Sequence, residues 1–279
     1  MTIIERALEK HRPTASGALG VNKRVRTSQA PAIDPALRIP RTIATIDRDL
    51  CRERRLLVWS ETDEDKTYVA AYRMLRTRLL QRARTNHWTT IAVTSAGPND
   101  GKTLTAINLA LSLARDKSRD IVLLDMDMRN PSVCRALGVP PTHELRDFLE
   151  HGINSQDLFF SFTSENLLIA GSVAPTENAS ELLSGARFDE LLEIIKRGAA
   201  DPIVLIDLPP VLVTDDALVV APKIDAVLVV ASEGLTDRAD LAKALDLLAE
   251  FPLAGVVLNR AAESSPDYNY AYEVDRTPA

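Results

Sequence analysis

The chain has 279 residues, of which 46% are hydrophobic and 26% charged, and its formal net charge is −6. That composition is globular and suits one large α/β domain with appendages. Two cysteines, Cys51 and Cys134, and four scattered histidines exclude a disulfide framework and a His/Cys metal site, and no apolar run approaches the roughly 18–20 residues of a membrane span. The expected compartment is reducing cytoplasm.

In chain order, the opening "MTIIERALEK" places Ile3, Ile4, Ala7 and Leu8 at helical spacing, while Glu5 and Glu9 interrupt the apolar core that a signal peptide requires. A docking helix is predicted over residues 1–10. Residues 11–60 follow as a flexible basic leader rich in Pro, Ala, Ser and Arg. Residues 1–60 carry twelve Lys/Arg against six Asp/Glu, net +6, which leaves −12 on residues 61–279. A basic leader reads first as solvated linker and second as a contact for an acidic membrane surface or partner. The acidic body argues against nucleic acid as a ligand.

From residue 61 to 262 the pattern is that of a nucleotide-binding domain. A helix is predicted from about Glu64 to Arg84, with Tyr68, Tyr72, Leu75 and Leu79 on one stripe. Apolar strands are then predicted at Thr90–Thr94, Ile121–Leu124, Leu167–Ala170, Ile203–Ile206, Ala226–Val230 and Gly255–Leu258. Amphipathic helices separate most of them, one striped by Leu104, Ile107, Leu111 and Ala114 and another by Leu241, Leu245 and Leu248. Continuous apolar strands between such helices imply an α/β fold, a doubly wound and mostly parallel sheet with helices on both faces, and the loop after its first core strand makes it of P-loop NTPase type.

After the first core strand comes "SAGPNDGKT" and then a helix. Backbone N–H groups of Gly97, Pro98's neighbours Asn99 and Asp100, Gly101, Lys102, Thr103 and Leu104 are expected to wrap phosphates. Lys102 would neutralise the β/γ oxygens, and the Thr103 hydroxyl would ligate Mg2+. Ala96 stands where the strict pattern has its first glycine. Two apolar strands end in acids, Asp125 and Asp127 in "IVLLDMDMRNP" and Asp207 in "IVLIDLPPV". In a parallel sheet such strand ends open onto the ligand crevice, so all three carboxylates are expected at the mouth where Mg2+ needs them. Arg129 is read either as a contact to the carboxylates or γ-phosphate or as a structural ion pair.

Residues 263–279 form a polar tail, "SPDYNYAYEVDRTPA" being its last stretch, in which Tyr268, Tyr270 and Tyr272 alternate. Three of the chain's five tyrosines fall there. Alone, they read equally as an edge strand or as a set of targets.

The P-loop, "DMDMR" after an apolar triplet, and "VLIDLPP" together resemble the bacterial tyrosine kinases, autokinases that accompany capsule and exopolysaccharide export. The likeness runs from about residue 64 to the C-terminus and takes in the tyrosine tail. It implies an ATP- and Mg2+-dependent protein-tyrosine autokinase whose acceptors are Tyr268, Tyr270 and Tyr272. Asp125 would orient the incoming tyrosine and accept its proton, while Asp127, Asp207 and Thr103 would hold Mg2+. It also implies a membrane-embedded polysaccharide co-polymerase as activator, a cognate tyrosine phosphatase, neighbouring copies of the chain as partners, and residence at the inner face of the membrane through the activator. Of the family's Glu-x-x-Arg-x-x-Arg pattern for ring contacts, Arg73 and Arg76 match but Ala70 replaces the glutamate. Two other readings share these motifs: a partition or division ATPase of the deviant Walker group, whose signature lysine is replaced here by Gly97 and Pro98, and a nucleotide-dependent scaffold of polysaccharide export with little turnover.

Overall fold

The computed structural model describes residues 42–45, 48–56, 63–155, 158–161 and 166–261. The docking helix expected at 1–10 and the tail with its three tyrosines lie outside them. Chain order is β1 (Thr42–Ile43), α1 (Arg48–Glu53), α2 (Asp63–Asn86), β2 (Thr90–Ser95), α3 (Lys102–Leu113), β3 (Ile121–Asp125), α4 (Val133–Leu137) and α5 (Leu145–His151). There follow β4 (Phe160–Ser161), β5 (Leu167–Ala170), α6 (Ala179–Ser184), α7 (Ala186–Gly198), β6 (Ile203–Asp207), α8 (Asp216–Val220), β7 (Ala226–Ser232), α9 (Arg238–Leu247) and β8 (Leu253–Asn259).

The strands form one sheet in the order β1-β4-β5-β3-β6-β2-β7-β8. Every pair from β5 to β8 is parallel, and β4 runs antiparallel to β5. Side chains alternate between two cores because successive Cβ atoms of a strand point to opposite faces. Ile91, Val93, Ile121, Leu123, Leu205 and Leu228 enter the core beneath α2, α3 and α4. Ala92, Val122, Leu124, Val204, Ile206 and Val229 enter the one beneath α5 to α9. Burial on both faces is why the strands lack polar alternation. All six predicted strands are present, and most extend a residue or two further than their apolar runs, onto the acids and hydroxyls of the carboxyl edge.

Helix α3 is buried over Thr105–Leu113 because α2 covers the face turned away from the sheet. Tyr68 and Tyr72 of α2 belong to this contact, their rings edge to face at 5.1 Å. Asn108 Nδ2 donates to the Tyr68 hydroxyl, and burial raises the Tyr68 pKa well above the usual phenol. These two tyrosines pack as part of the fold.

The predicted leader 11–60 is not linker throughout. Ala44 N donates to the Ser161 carbonyl, β1 pairs in parallel with β4, and Cys51 and Leu56 are buried in the α2–α4 core. Two-residue strands and a six-residue helix carry too little periodicity to be seen in sequence. Among the described residues no helix is long and apolar enough to cross a membrane.

Candidate active site

The site forms where β2, β3 and β6 end. Strand order sets it: β6 lies between β2 and β3, so Asp207 pairs in register with Asp125 on one side and Val93 on the other. Asp125 and Asp207 are fully buried and Asp127 nearly so. The cation set among them is Lys102 at the start of α3, whose Nζ stands 2.7 Å from Asp127 Oδ2 and 3.7 Å from Asp207 Oδ1. Burial works against the Lys102 charge, but Asp207 and then Asp127 outweigh it and hold its pKa above the ordinary value. The Thr103 hydroxyl lies 2.6 Å from Asp207 Oδ2, to which it donates, and 3.1 Å from Ser132 Oγ.

Asp125 accepts the Ser132 and Val133 N–H groups on Oδ2, both at 2.8 Å, while its Oδ1 has no hydrogen-bond partner among the described residues. Burial, then the charge of Asp207, pushes its pKa up to about 8. Gly171 makes room for it, since a Cβ there would meet the Asp125 Cβ at 3.2 Å and Cys134 Sγ at 2.8 Å. Burial likewise raises Asp207, against the opposing pull of Lys102 and Thr103.

The phosphate loop is braced from the carboxyl ends of β7 and β8 and the turns that follow them. Asp100 is buried, its Oδ2 taking the Gly97 N–H at 3.1 Å and its Oδ1 the Thr236 hydroxyl at 2.6 Å. Asn259 Nδ2 donates to the Asp100 carbonyl at 2.9 Å, and Arg260 Nη2 to that of Asn99 at 3.0 Å. The Gly97 N–H is therefore turned inward and Pro98 has none, which corrects the expectation that the whole loop from Gly97 faces phosphate. The donors left for an anion are the N–H groups of Asn99, Asp100 and Gly101, which have no acceptor among the described residues, and those of the first turn, Lys102, Thr103 and Leu104, for which a helix has no acceptor of its own. Ala96 is fully buried in the core under α5 to α9, so its methyl packs inward instead of crowding the loop.

Gly101 has φ +89°, and a Cβ on it would stand 2.1 Å from Asn259 Nδ2. A Gly101→Ala chain must bear left-handed strain and also eject Asn259 from its bond to Asp100. It is expected to lose about 1–3 kcal/mol of stability and at least tenfold in affinity for a fluorescent ATP analogue, as thermal melts and titration would show.

Arg129 resolves toward the ion pair. Its Nε donates to Asp216 Oδ2 at 3.1 Å, and its Nη2 to Ser180 Oγ at 3.2 Å. Ser180 Oγ donates to Asp216 Oδ1 at 2.6 Å. The side chain thus ties the loop after β3 to α6 and α8 and does not join the three carboxylates. Asp216→Ala is expected to cost about 1–2 kcal/mol, less than the roughly 3–5 of a fully buried pair because Arg129 is 38% exposed. Phosphoryl transfer should slow about tenfold as Asp127 loses its support, with Arg129→Ala matching it. Ser132, Gly171, Asp216, Thr236 and Asn259 do not stand out in the sequence, because each acts through a partner distant along the chain.

Mg2+ fits this crevice. Asp207 Oδ1 is buried without a hydrogen-bond partner among the described residues, and Asp127 Oδ2 is held by Lys102, which phosphate oxygens can draw away. Among those residues no group of three or more His, Cys, Asp or Glu could hold a metal. That is the donor set of a Mg2+ held by one or two side chains with phosphates and water, not of a closed protein cage.

A family model described as "ParA: NUBPL iron-transfer P-loop NTPase" matches residues 86–275. Iron clusters need thiolate ligands, whereas Cys51 and Cys134 are both buried and burial, aided by Asp125, pushes the Cys134 thiol up to about 12. The chain is 30% identical over 204 residues to tyrosine-protein kinase YwqD of Bacillus subtilis strain 168, covering 71% of this chain and 84% of the relative. It is 32% identical over 176 residues to tyrosine-protein kinase CpsD of Streptococcus pneumoniae serotype 4, covering 61% and 75%. In fold it is similar to the kinase domain of the Escherichia coli tyrosine kinase ETK, with a TM-score of 0.65 at 24% identity over 83% of this chain and 94% of that one.

Proposed function

Because the chain belongs to the bacterial tyrosine kinases, a branch of the ParA-type P-loop NTPases, we propose that it transfers the γ-phosphate of ATP to Tyr268, Tyr270 and Tyr272 of its own tail. The observation that carries this reading is the convergence of Lys102, Thr103, Asp125, Asp127 and Asp207 at one strand edge, with a buried carboxylate of raised pKa among them.

Phosphoryl transfer has a loose transition state, so positioning and charge neutralisation supply most of the rate. Lys102 exchanges its carboxylate partners for phosphate oxygens, and the N–H groups of Asn99, Asp100 and Gly101 with those of Lys102, Thr103 and Leu104 hold the anion at the helix start. Thr103, Asp127 and Asp207 would hold Mg2+, whose charge would neutralise that of the phosphates. Asp125 accepts the phenolic proton on Oδ1. That oxygen is buried and has no hydrogen-bond partner among the described residues. Burial and the charge of Asp207 favour the protonated form of Asp125, and the positive charge of a bound Mg2+ would draw its pKa down so that the carboxylate is ionised to accept. Arg129, with Asp216, keeps the Asp127 loop in place.

The activator in this reading is a membrane-embedded polysaccharide co-polymerase, which brings the enzyme to the inner face of the membrane. Each phosphate adds about −1.5 to −2 charges beside Asp267, Glu273 and Asp275, and the repulsion loosens contacts between copies, coupling phosphorylation to export. A tyrosine phosphatase resets the tail. The test is incubation of the full chain with labelled Mg-ATP and the activator, followed by mass spectrometry. Phosphate is expected on the tail tyrosines and on no other residue, and a chain truncated before Asp267 should stay unlabelled. Phosphate release without labelling would favour a partition-type ATPase, and neither activity would favour a scaffold.

A further inference from the structure

On the opposite edge of the sheet from the P-loop, a cleft of about 370 Å3 opens between the second half of α2 and the end of α3. Arg82 of α2 donates to the carbonyl of Leu253, the first residue of β8, which places this end of α2 at the amino-terminal edge. Three guanidinium groups line the cleft, those of Arg76, Arg84 and Arg115. Arg76 Nη1 is held by the Ser112 carbonyl at 2.9 Å, so its position is set in advance. Arg84 and Arg115 are exposed; neither makes a hydrogen bond or an ion pair within 4 Å among the described residues, although the charge of Asp116 reaches Arg84. The one acid in the lining, Asp116, is already engaged: its Oδ1 takes the Ser118 N–H and hydroxyl, and that pair of bonds lowers its pKa. Leu80 supplies an apolar wall and Gln81 an amide donor.

We propose that this cleft is a docking site for the phosphorylated tail of the chain itself, the arginines taking phosphotyrosine phosphates and Leu80 lying against the ring. The proposal rests on the reading that the tail tyrosines are phosphorylated. Guanidinium forks match phosphate oxygens in pairs, and a cluster of them is the common way proteins read phosphorylated acidic segments. The tail brings the complementary charge, with Asp267, Glu273 and Asp275 flanking the three tyrosines. Its reach is sufficient. Helix α3 is about 18 Å long, whereas Tyr268 to Tyr272 can stand up to about 23–36 Å from Ala261 along an extended chain. Docking there would withdraw the finished product from the catalytic edge.

The test is fluorescence polarisation of a labelled synthetic peptide of residues 263–279, carrying phosphotyrosine at 268, 270 and 272, on the phosphatase-treated full chain. It is expected to bind at least tenfold more tightly than its unphosphorylated counterpart, and to weaken as salt rises. The double variant Arg84→Ala/Arg115→Ala should lose at least tenfold, and Arg197→Ala, an exposed arginine elsewhere, should lose nothing. Thermal melts verify that the double variant is folded. Equal binding by the double variant, equal binding of the unphosphorylated peptide, or displacement by inorganic phosphate at matched phosphate concentration would overturn the proposal. The phosphates are installed chemically, so a failure of docking is read separately from a failure of the labelling experiment, which would remove the kinase reading on which the docking depends.

Discussion

Replacement of Lys102 by methionine is expected to lower phosphate transfer to the tail by at least about 10³-fold, measured as label on the full chain. Part of the loss is the missing charge at the phosphates, where removal of one well-placed donor already costs about 10²–10³. The remainder follows from the packing. Lys102 is the cation among Asp125, Asp127 and Asp207, and without it Asp127 Oδ2 and Asp207 Oδ1 face each other across a buried space. Leaving buried charge uncompensated costs on the order of 3–5 kcal/mol, which the variant limits by taking up protons. Its melting temperature should therefore fall relative to wild type, and fall more at pH 8.5 than at pH 6. Arginine would not rescue it, because a planar fork cannot replace a point charge in that space. Retention of more than a tenth of the wild-type rate would remove Lys102 from the mechanism.

The second large effect is a pH dependence of stability that belongs to Asp125. Its folded pKa, about 8, lies far above the ordinary 3.8, through burial first and the charge of Asp207 second. Between those values the folded chain holds a proton that the unfolded chain has released, so stability declines as pH rises from about 4 to about 8. Asp207 is shifted in the same direction and adds to the decline. Asp116 and Asp225 are shifted downward and act only below their ordinary range. Without Mg2+ or nucleotide, the melting temperature should drop between pH 5.5 and pH 8.5. Asp125→Asn should match wild type at the lower pH and exceed it at the higher by roughly 5–10 °C, a few kcal/mol for a domain of this size. The same variant should transfer phosphate at least about 10²-fold more slowly, having lost its proton acceptor. An unchanged pH slope in the variant would assign the decline to other groups.

Both effects depend on neighbours that the sequence holds far apart, which marks where its legibility ends. The P-loop is readable because its parts are contiguous: a strand, a turn that needs Gly101, and a helix start carrying Lys102 and Thr103. Asp125, Asp127 and Asp207 are readable as strand ends, since an apolar run closed by an acid in a parallel sheet leads to the crevice. Arg129 cannot be assigned from its neighbours in sequence. Its partner, Asp216, arrives on a helix of five residues after β6, and nothing local distinguishes an arginine that meets phosphate from one that meets a carboxylate. Asp100 is one more loop residue in the sequence; in the fold, Thr236 from the loop after β7 and Asn259 from the end of β8 close on it. Residues 42–56 resemble linker because polar and charged side chains dominate the stretch, whereas Cys51 and Leu56 enter the core singly and leave no periodic trace.

Local patterning is thus enough to specify the sheet, its two covering layers, the phosphate loop and the acids that face it. Apolar runs must be buried and their backbone groups paired, and period-two and period-3.6 patterns state how. Only the assembled fold settles the strand order that sets β6 between β2 and β3. That order makes Asp125 and Asp207 neighbours, adds the charge of Asp207 to the burial that raises the Asp125 pKa, and gives Lys102 two carboxylates to answer. Side-chain periodicity records which face a residue takes, but the choice of neighbouring strand is made by crossovers whose lengths fit several arrangements. Electrostatics at the site follows from that choice, and so becomes visible only once the sheet is assembled.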